Sequence, residues 1–252
     1  FPFLHAQRLQ ELGYRLRTKR DPFYESRVVK TDEEVRHIEA AQRATEKAVA
    51  AAHESLRRAE IRDHVLWLDG AVLTSERVKK LINVALMECE CVAQHTIVAG
   101  GEQACDPHDE GSGPLPAHRS IIFDVFPRSA DSRYFADMSR TVVRGTPSPE
   151  LKKLYQTVKD AQEEAITKIR DGADGAVIHQ GICDRFEKAG YKTGVVNGRM
   201  QGYFHGTWDW TFMKRLASAG PVHCSRKAMS SPWNRVSTIP ASAPYASKTW
   251  CS

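Results

Sequence analysis

Two short apolar segments, each interrupted by one carboxylate, constrain this chain more than any other feature. Ile121-Ile122-Phe123-Asp124-Val125-Phe126 and Tyr134-Phe135-Ala136-Asp137-Met138-Ser139-Arg140-Thr141 flank a polar stretch at residues 127–133. β-Branched and aromatic residues on either side of a polar turn predict a hairpin, with strands at 120–126 and 134–144. A hairpin centred on residues 130–131 would set Asp124 and Asp137 opposite each other on one face. Two ionised carboxylates about 5 Å apart in a dry setting repel strongly. Either one is protonated, or a cationic side chain intervenes, or metal ions bind. Arg128 and Arg140 are close in sequence, so structural ion pairing stays open as an alternative.

Helices surround this hairpin. Thr31-Asp32-Glu33-Glu34 has the form of a capping box, and Val35, Ile38, Ala41, Ala44 and Val49 then recur at helical spacing, predicting a helix to about Arg58. A second helix is expected over about Ser75–Glu88, with Val78, Leu81, Ile82 and Ala85 on one face. Ser148-Pro149 opens a third, with serine as cap, proline at the first helical position and Gly172 as the stop. Its core face would hold Leu151, Leu154, Val158, Ala161, Ala165 and Ile169. A shorter helix covers about Ala176–Ala189 and ends at Gly190. A further strand is expected at His95–Ala99. Helices and mostly antiparallel strands alternate without a regular βαβ series, so the fold class is α+β. Residues 1–28, with Leu9, Leu12 and Leu16 at helical spacing, read as a remnant or linker of an upstream domain, or as a disordered leader.

The net charge of +5 invites a nucleic-acid reading, but its distribution argues against one. Residues 210–252 hold six Lys or Arg and no Asp or Glu, which leaves the preceding residues at −1. Six cysteines without zinc-finger spacing read as reduced thiols of a cytoplasmic protein. No apolar run reaches the roughly 18–20 residues that cross a bilayer, so no membrane partner is expected.

Two histidines lie in glycine-rich loops around the hairpin. Asp106-Pro107-His108 sits among Gly100, Gly101, Gly111 and Gly113, and Phe204-His205-Gly206-Thr207 follows Gly202. A lone histidine is more often structural than catalytic, but two such loops beside paired aspartates form a constellation. In this order and combination the motifs resemble the pita-bread metallopeptidases, a family that includes methionine aminopeptidase, Xaa-Pro aminopeptidase and prolidase. The resemblance runs from about Val29 to Thr207. Asp137-Met138-Ser139-Arg140-Thr141 looks most like the Xaa-Pro aminopeptidases.

The resemblance implies a pita-bread fold, a mostly antiparallel sheet with covering helices, over residues 29–209. It implies a hydrolase that removes N-terminal residues from a peptide substrate, ahead of proline. Two divalent ions (Mn, Co or Zn) would share two aspartates, one histidine and two glutamates, and would activate a water against the scissile carbonyl. Asp124 and Asp137 match the aspartate ligands, in a slightly longer hairpin than the commonest spacing. His108 matches the histidine that assists proton transfer, and His205 the one that contacts substrate. A homodimer is a candidate assembly. A non-catalytic pita-bread domain that binds a protein or peptide is the alternative from another class.

The pattern breaks after Thr207. The family continues with Gly-His-Gly, placing its histidine ligand where this chain has Asp209, between Trp208 and Trp210. A carboxylate can ligate a metal, so substitution by Asp209 is one alternative. Bulky tryptophans in place of glycines would crowd the backbone there. Residues 210–252 also lack any glutamate and hold eight serines and four prolines with no helical or alternating period.

A shifted reading frame accounts for all of this. With synonymous codons chosen for Trp208 to Ala217, reading one base earlier yields Val-Gly-Leu-Asp-Phe-His-Glu-Ala-Pro-Arg, which looks like the family's continuation. Ala228 to Pro240 in the same frame can yield Asn-Val-Val-Thr-Val-Glu-Pro-Gly-Leu-Tyr-Tyr-Pro, which resembles a glutamate-ligand strand. The expectation is a catalytic domain incomplete at its C-terminal end, an atypical basic tail from 210 to 252, and an incomplete dinuclear site without peptidase activity.

Overall fold

A computed structural model describes residues 3–17, 29–106, 108–170, 172–191, 194–196, 199–201 and 221–222. The first helix, α1 (Phe3–Glu11), buries none of its residues. Helix α2 (Asp32–Arg58) starts where the capping box predicts. Glu34 N–H donates to Thr31 Oγ1 at 3.2 Å, and Thr31 N–H donates to Glu34 Oε2 at 2.8 Å. Its inner face is built from Ala41, Ala44, Ala48, Ala52 and Leu56, small residues that let the helix lie close to what it covers.

The Thr31 backbone N–H, and next the Tyr134 hydroxyl, hold the Glu34 carboxyl below its ordinary value of 4.5. A depressed folded-state pKa adds stability above the unfolded value, and that stability is lost as pH falls through the folded one. Denaturant midpoints measured from neutral pH down to about pH 3 should therefore fall less steeply in Glu34→Gln than in the parent chain. Equal slopes would remove Glu34 from the acid response.

After α2 the chain forms a small meander of β1 (Glu60–Arg62), β2 (Val65–Leu68) and β3 (Ala71–Val72), all antiparallel. Both connections are two-residue turns in left-handed conformation, Asp63-His64 (φ 48° and 63°) and Asp69-Gly70 (φ 53° and 77°). That is the primed turn whose twist matches flanking strands. Helix α3 (Ser75–Met87) follows, capped by Thr74, with Val78, Ile82 and Leu86 buried. Leu81 is 40% exposed, so the inward stripe is one residue wide of the expected face.

The central sheet has β5 (Ile97–Gly100), β6 (Ser120–Val125) and β8 (Met138–Val143) in the order β5–β6–β8. Two short strands, β4 (Cys91–Val92) and β7 (Arg128–Ser129), pair beside it. Burial alternates along β6: Ile121, Phe123 and Val125 are buried, and Ile122 and Asp124 are half-buried. The buried set joins Val98, Met138 and Val142 with the α2 alanines and Leu56, Val78, Ile82 and Leu86 in one core. On the other face Ile97, Ala99 and Ala104 form a small cluster against Ile122.

The hairpin register differs from the expected one. Asp124 pairs with Ser139 and Val125 with Met138, and the Arg128–Phe135 bridge keeps the same alignment to the tip. Ser129 N–H donates to Tyr134 O at 3.0 Å, closing a four-residue tip that ends on Arg133 at φ 62°. The centre lies between residues 131 and 132, one residue further along than expected, so the partner of Asp124 moves by two. Asp124 and Asp137 stay on one face but are diagonal neighbours, not opposite ones.

Helix α4 (Pro149–Lys168) begins at the Ser148 cap and packs on α5 (Gly175–Lys188). Of its predicted core face only Ala161 and Ala165 are buried. Gly190 stops α5 at φ 91°. The remaining strands are β9 (Ala173–Asp174), β10 (Gly194–Val196), β11 (Arg199–Gln201) and β12 (Pro221–Val222). β10 pairs with β11 and β12 with β9, all antiparallel. No described helix is long and apolar enough to cross a membrane. Cys89, Cys91, Cys105 and Cys183 form no disulfide.

Candidate functional site

Asp124 lies in the middle of the half-buried face of β6, with Ile97 across the β5 side and Ser139 across the β8 side. The Ser139 hydroxyl donates to Asp124 Oδ1 at 2.6 Å, a short bond of the kind made to an ionised acceptor. Asp137 stands just before β8, two residues ahead of Ser139, and the register that runs on to the Arg128–Phe135 bridge puts it on the same face. Diagonal neighbours of this type have Cα atoms about 7–8 Å apart.

Sequence reasoning did not find Ser139. Its signal was present in the i, i+2 spacing of Asp137-Met138-Ser139, which places both polar residues on one strand face.

The hairpin tip is tied to the start of α2. Tyr134 Oη–H donates to Glu34 Oε1 at 2.9 Å, and the His37 ring stacks on Tyr134 with centroids 5.5 Å apart and planes at 16°. Ala136 N–H donates to Pro127 O at 3.0 Å. The segment leading into Asp137 is thus fixed at both edges.

Arg140 sits opposite Phe123 in the register, on the face away from the aspartates. Its Nη1 donates to Ser139 O at 2.8 Å. Burial pushes the guanidinium pKa down, and Glu46 and Tyr155 pull it back up. The ion-pair alternative therefore has Arg140 turned toward α2 and α4 through these neighbours.

His108 occupies the loop that returns from the 3₁₀ turn Gly101–Cys105 toward β6. Two side chains shape that loop: Asp106 Oδ1 accepts from His108 N–H at 2.9 Å, and Asp109 Oδ1 accepts from Gly111 N–H at 2.8 Å. Val98 N–H donates to Glu110 O at 3.0 Å, which lays the loop along β5. Lys79 Nζ donates to Gly111 O at 2.8 Å. The His108 side chain is 93% exposed, with Nδ1 4.0 Å from Asp106 Oδ1. His205 and Asp209 lie outside the described residues.

Asp124 and Asp137 offer hard oxygen donors on one face, and one donor is already oriented by Ser139. This chemistry fits the carboxylate side of a divalent-cation site. Among the described residues no group of three or more His, Cys, Asp or Glu comes together, so these two donors are one part of such a site.

Comparisons with known proteins bear on the fold and the family. An uncharacterized peptidase of Staphylococcus haemolyticus is 28% identical over 172 residues, covering 66% of this chain and 44% of its own length. Xaa-Pro aminopeptidase 1 of Streptomyces coelicolor is 29% identical over 181 residues, covering 70% of this chain and 34% of its own. The chain thus spans less than half the length of these relatives. The crystal structure of the dipeptidase PepE from Mycobacterium ulcerans superposes with a TM-score of 0.64 at 24% identity, over 76% of this chain and 48% of that one. The fold is the α+β pita-bread architecture of these peptidases. The model of Metallopeptidase family M24 matches residues 36–208, about two thirds of the sequence, and on that match the chain belongs to metallopeptidase family M24.

Proposed function

We propose that residues 29–209 are the larger part of a metal-dependent aminopeptidase domain of Xaa-Pro type, and that the reading frame departs from it after Thr207. The observation that carries this reading is the pair of aspartates on one face of the β6–β8 hairpin, with Asp124 held by Ser139 at 2.6 Å. The family match ends at residue 208, two residues before the acid-free stretch 210–252, which supports the proposed boundary. Relatives named for Xaa-Pro peptide hydrolysis support the substrate class.

In this reading Asp124 and Asp137 would hold divalent cations by their carboxylate oxygens, with Ser139 orienting Asp124. Bound divalent ions supply an acidified water and a polarised carbonyl at neutral pH. His108, on its exposed loop, carries a nitrogen that can take or give a proton beside a peptide, and by the family resemblance His205 would contact the peptide. The histidine and glutamate ligands are missing from residues 208–252, so this chain has no complete site and no peptidase activity. Reduced thiols suit a cytoplasmic location.

The test is metal analysis with an Xaa-Pro peptide assay on the chain as given and on a version restored to the alternative frame. The expected result is hydrolysis and bound metal in the restored chain only. Hydrolysis by the chain as given would overturn the frame reading. Tight binding of the peptide without hydrolysis by both versions would favour a binding module.

A further inference from the structure

A depression of about 710 Å³ opens at the other end of β6 from Asp124. Ser120, at its floor, begins the strand four residues before Asp124, roughly 13 Å away at the rise of a β-strand. Its walls come from the β1–β2 turn, the Gly101–Cys105 turn, residues 116–120 and the start of α4. We propose that this depression binds a small organic anion, its oxyanion group held by His118, Arg119 and Ser148 and its apolar body laid against Pro116 and Leu151. The proposal rests on no part of the peptidase reading.

Two histidines are brought together here at a cost. His64 and His118 each have φ 63°, a conformation disfavoured for side chains with a Cβ. Ala117 N–H donates to His64 O at 2.8 Å, and an antiparallel bridge joins Val65 to Pro116, so the two turns are locked side by side. The rings meet edge to face with centroids 6.4 Å apart.

His118 is placed with particular care. Its backbone N–H donates to Arg144 O at 2.8 Å, and its Nδ1 accepts from Thr146 N–H at 2.9 Å. A Cβ at Gly145 would lie 2.6 Å from Nδ1, so the ring sits where only glycine leaves room. A backbone N–H can only donate, so the neutral ring carries its proton on Nε2. The remaining ring nitrogen is therefore a donor.

Arg119 and Ser148 add further donors. Arg119 offers a guanidinium fork, the group best matched to carboxylate and phosphate oxygens. Ser148 Oγ accepts from Leu151 N–H at 3.2 Å, which leaves its own hydroxyl hydrogen to give. The single acid in the lining, Glu102, reaches Arg119 only at 3.9 Å from a side chain that is 95% exposed. An exposed pair at that length is weak, and a ligand oxyanion can displace it.

The experiment is calorimetric titration of the full chain with inorganic phosphate, phenyl phosphate and benzoate, with circular dichroism as the fold check. Saturable binding is expected, with phenyl phosphate or benzoate about tenfold tighter than inorganic phosphate because the ring buries apolar surface. Arg119→Gln and His118→Gln should each weaken it by about tenfold, and Glu102→Gln should strengthen it. Arg119 is exposed, so its replacement leaves the fold intact even where His118→Gln does not. No saturable binding of any probe below about 10 mM, or binding undiminished in a folded Arg119→Gln, would overturn the proposal.

Discussion

Gly111→Ala should lower the stability of the chain by roughly 3 kcal/mol or more, the range of severe backbone clashes. An alanine Cβ there would lie 1.9 Å from Val98 O, 2.6 Å from Val98 C and 2.8 Å from Ala99 Cα. All three atoms belong to the backbone of β5, which is paired with β6 and cannot retreat without breaking that ladder. The position also has φ +76°, which adds strain for any residue with a Cβ. The loop cannot simply lift, because Glu110 O, Gly111 O and Gly111 N are all engaged in hydrogen bonds.

For a chain of this size, that loss lowers the melting midpoint by about 6–12 °C. Gly113→Ala is the control: its φ is +71° but nothing lies within 4 Å of its Cβ position, so it should cost much less. Equal melting curves for the two variants would show that the loop does not pack on β5 as described. The consequence for function is direct, since the same loop carries His108.

Asp124→Asn in the frame-restored chain should reduce Xaa-Pro peptide hydrolysis about a thousandfold or more. Metal-assisted charge stabilisation is worth several kcal/mol, and each 1.36 kcal/mol is a factor of ten in rate. Asparagine retains the shape of the side chain and an oxygen able to accept from Ser139, so the fold is preserved while the negative charge is lost. Bound metal, measured by elemental analysis after gel filtration, should fall in parallel. A folded Asp124→Asn variant with unchanged metal content and rate would remove Asp124 from the site.

Much of the frame was legible because it rests on local rules. The capping box at Thr31 and Glu34, the Ser148-Pro149 start and the Gly190 stop each act within one helical turn, and each predicted boundary falls within a residue or two. The strand alternation at 120–125 was equally readable, since period two is a property of the strand itself. Register was not. It is decided by the geometry of the tip, where Arg133 takes a left-handed conformation that a bulky cation does not advertise.

The β1–β3 meander went unread although Asp69-Gly70 is a strong turn signal. Its strands are only two to four residues long, too short for periodicity to stand out. His108 was recognisable as chemistry from its motif. The loop's path was not, because it is set by Asp106, Asp109 and Lys79 acting over up to 32 residues of separation.

The hairpin that carries the two aspartates also limits how its length can vary. Asp124 and Asp137 stand 13 positions apart, and an odd difference in position is the condition for a shared face in this antiparallel pair. Adding or removing two residues at the tip preserves that condition and merely slides one carboxylate along the other strand. Adding or removing one would turn Asp137 into the core beside Phe123, unless a bulge absorbs the change. Length variation in this loop is thus filtered by parity, and a site can tolerate a longer hairpin while rejecting one that is longer by a single residue.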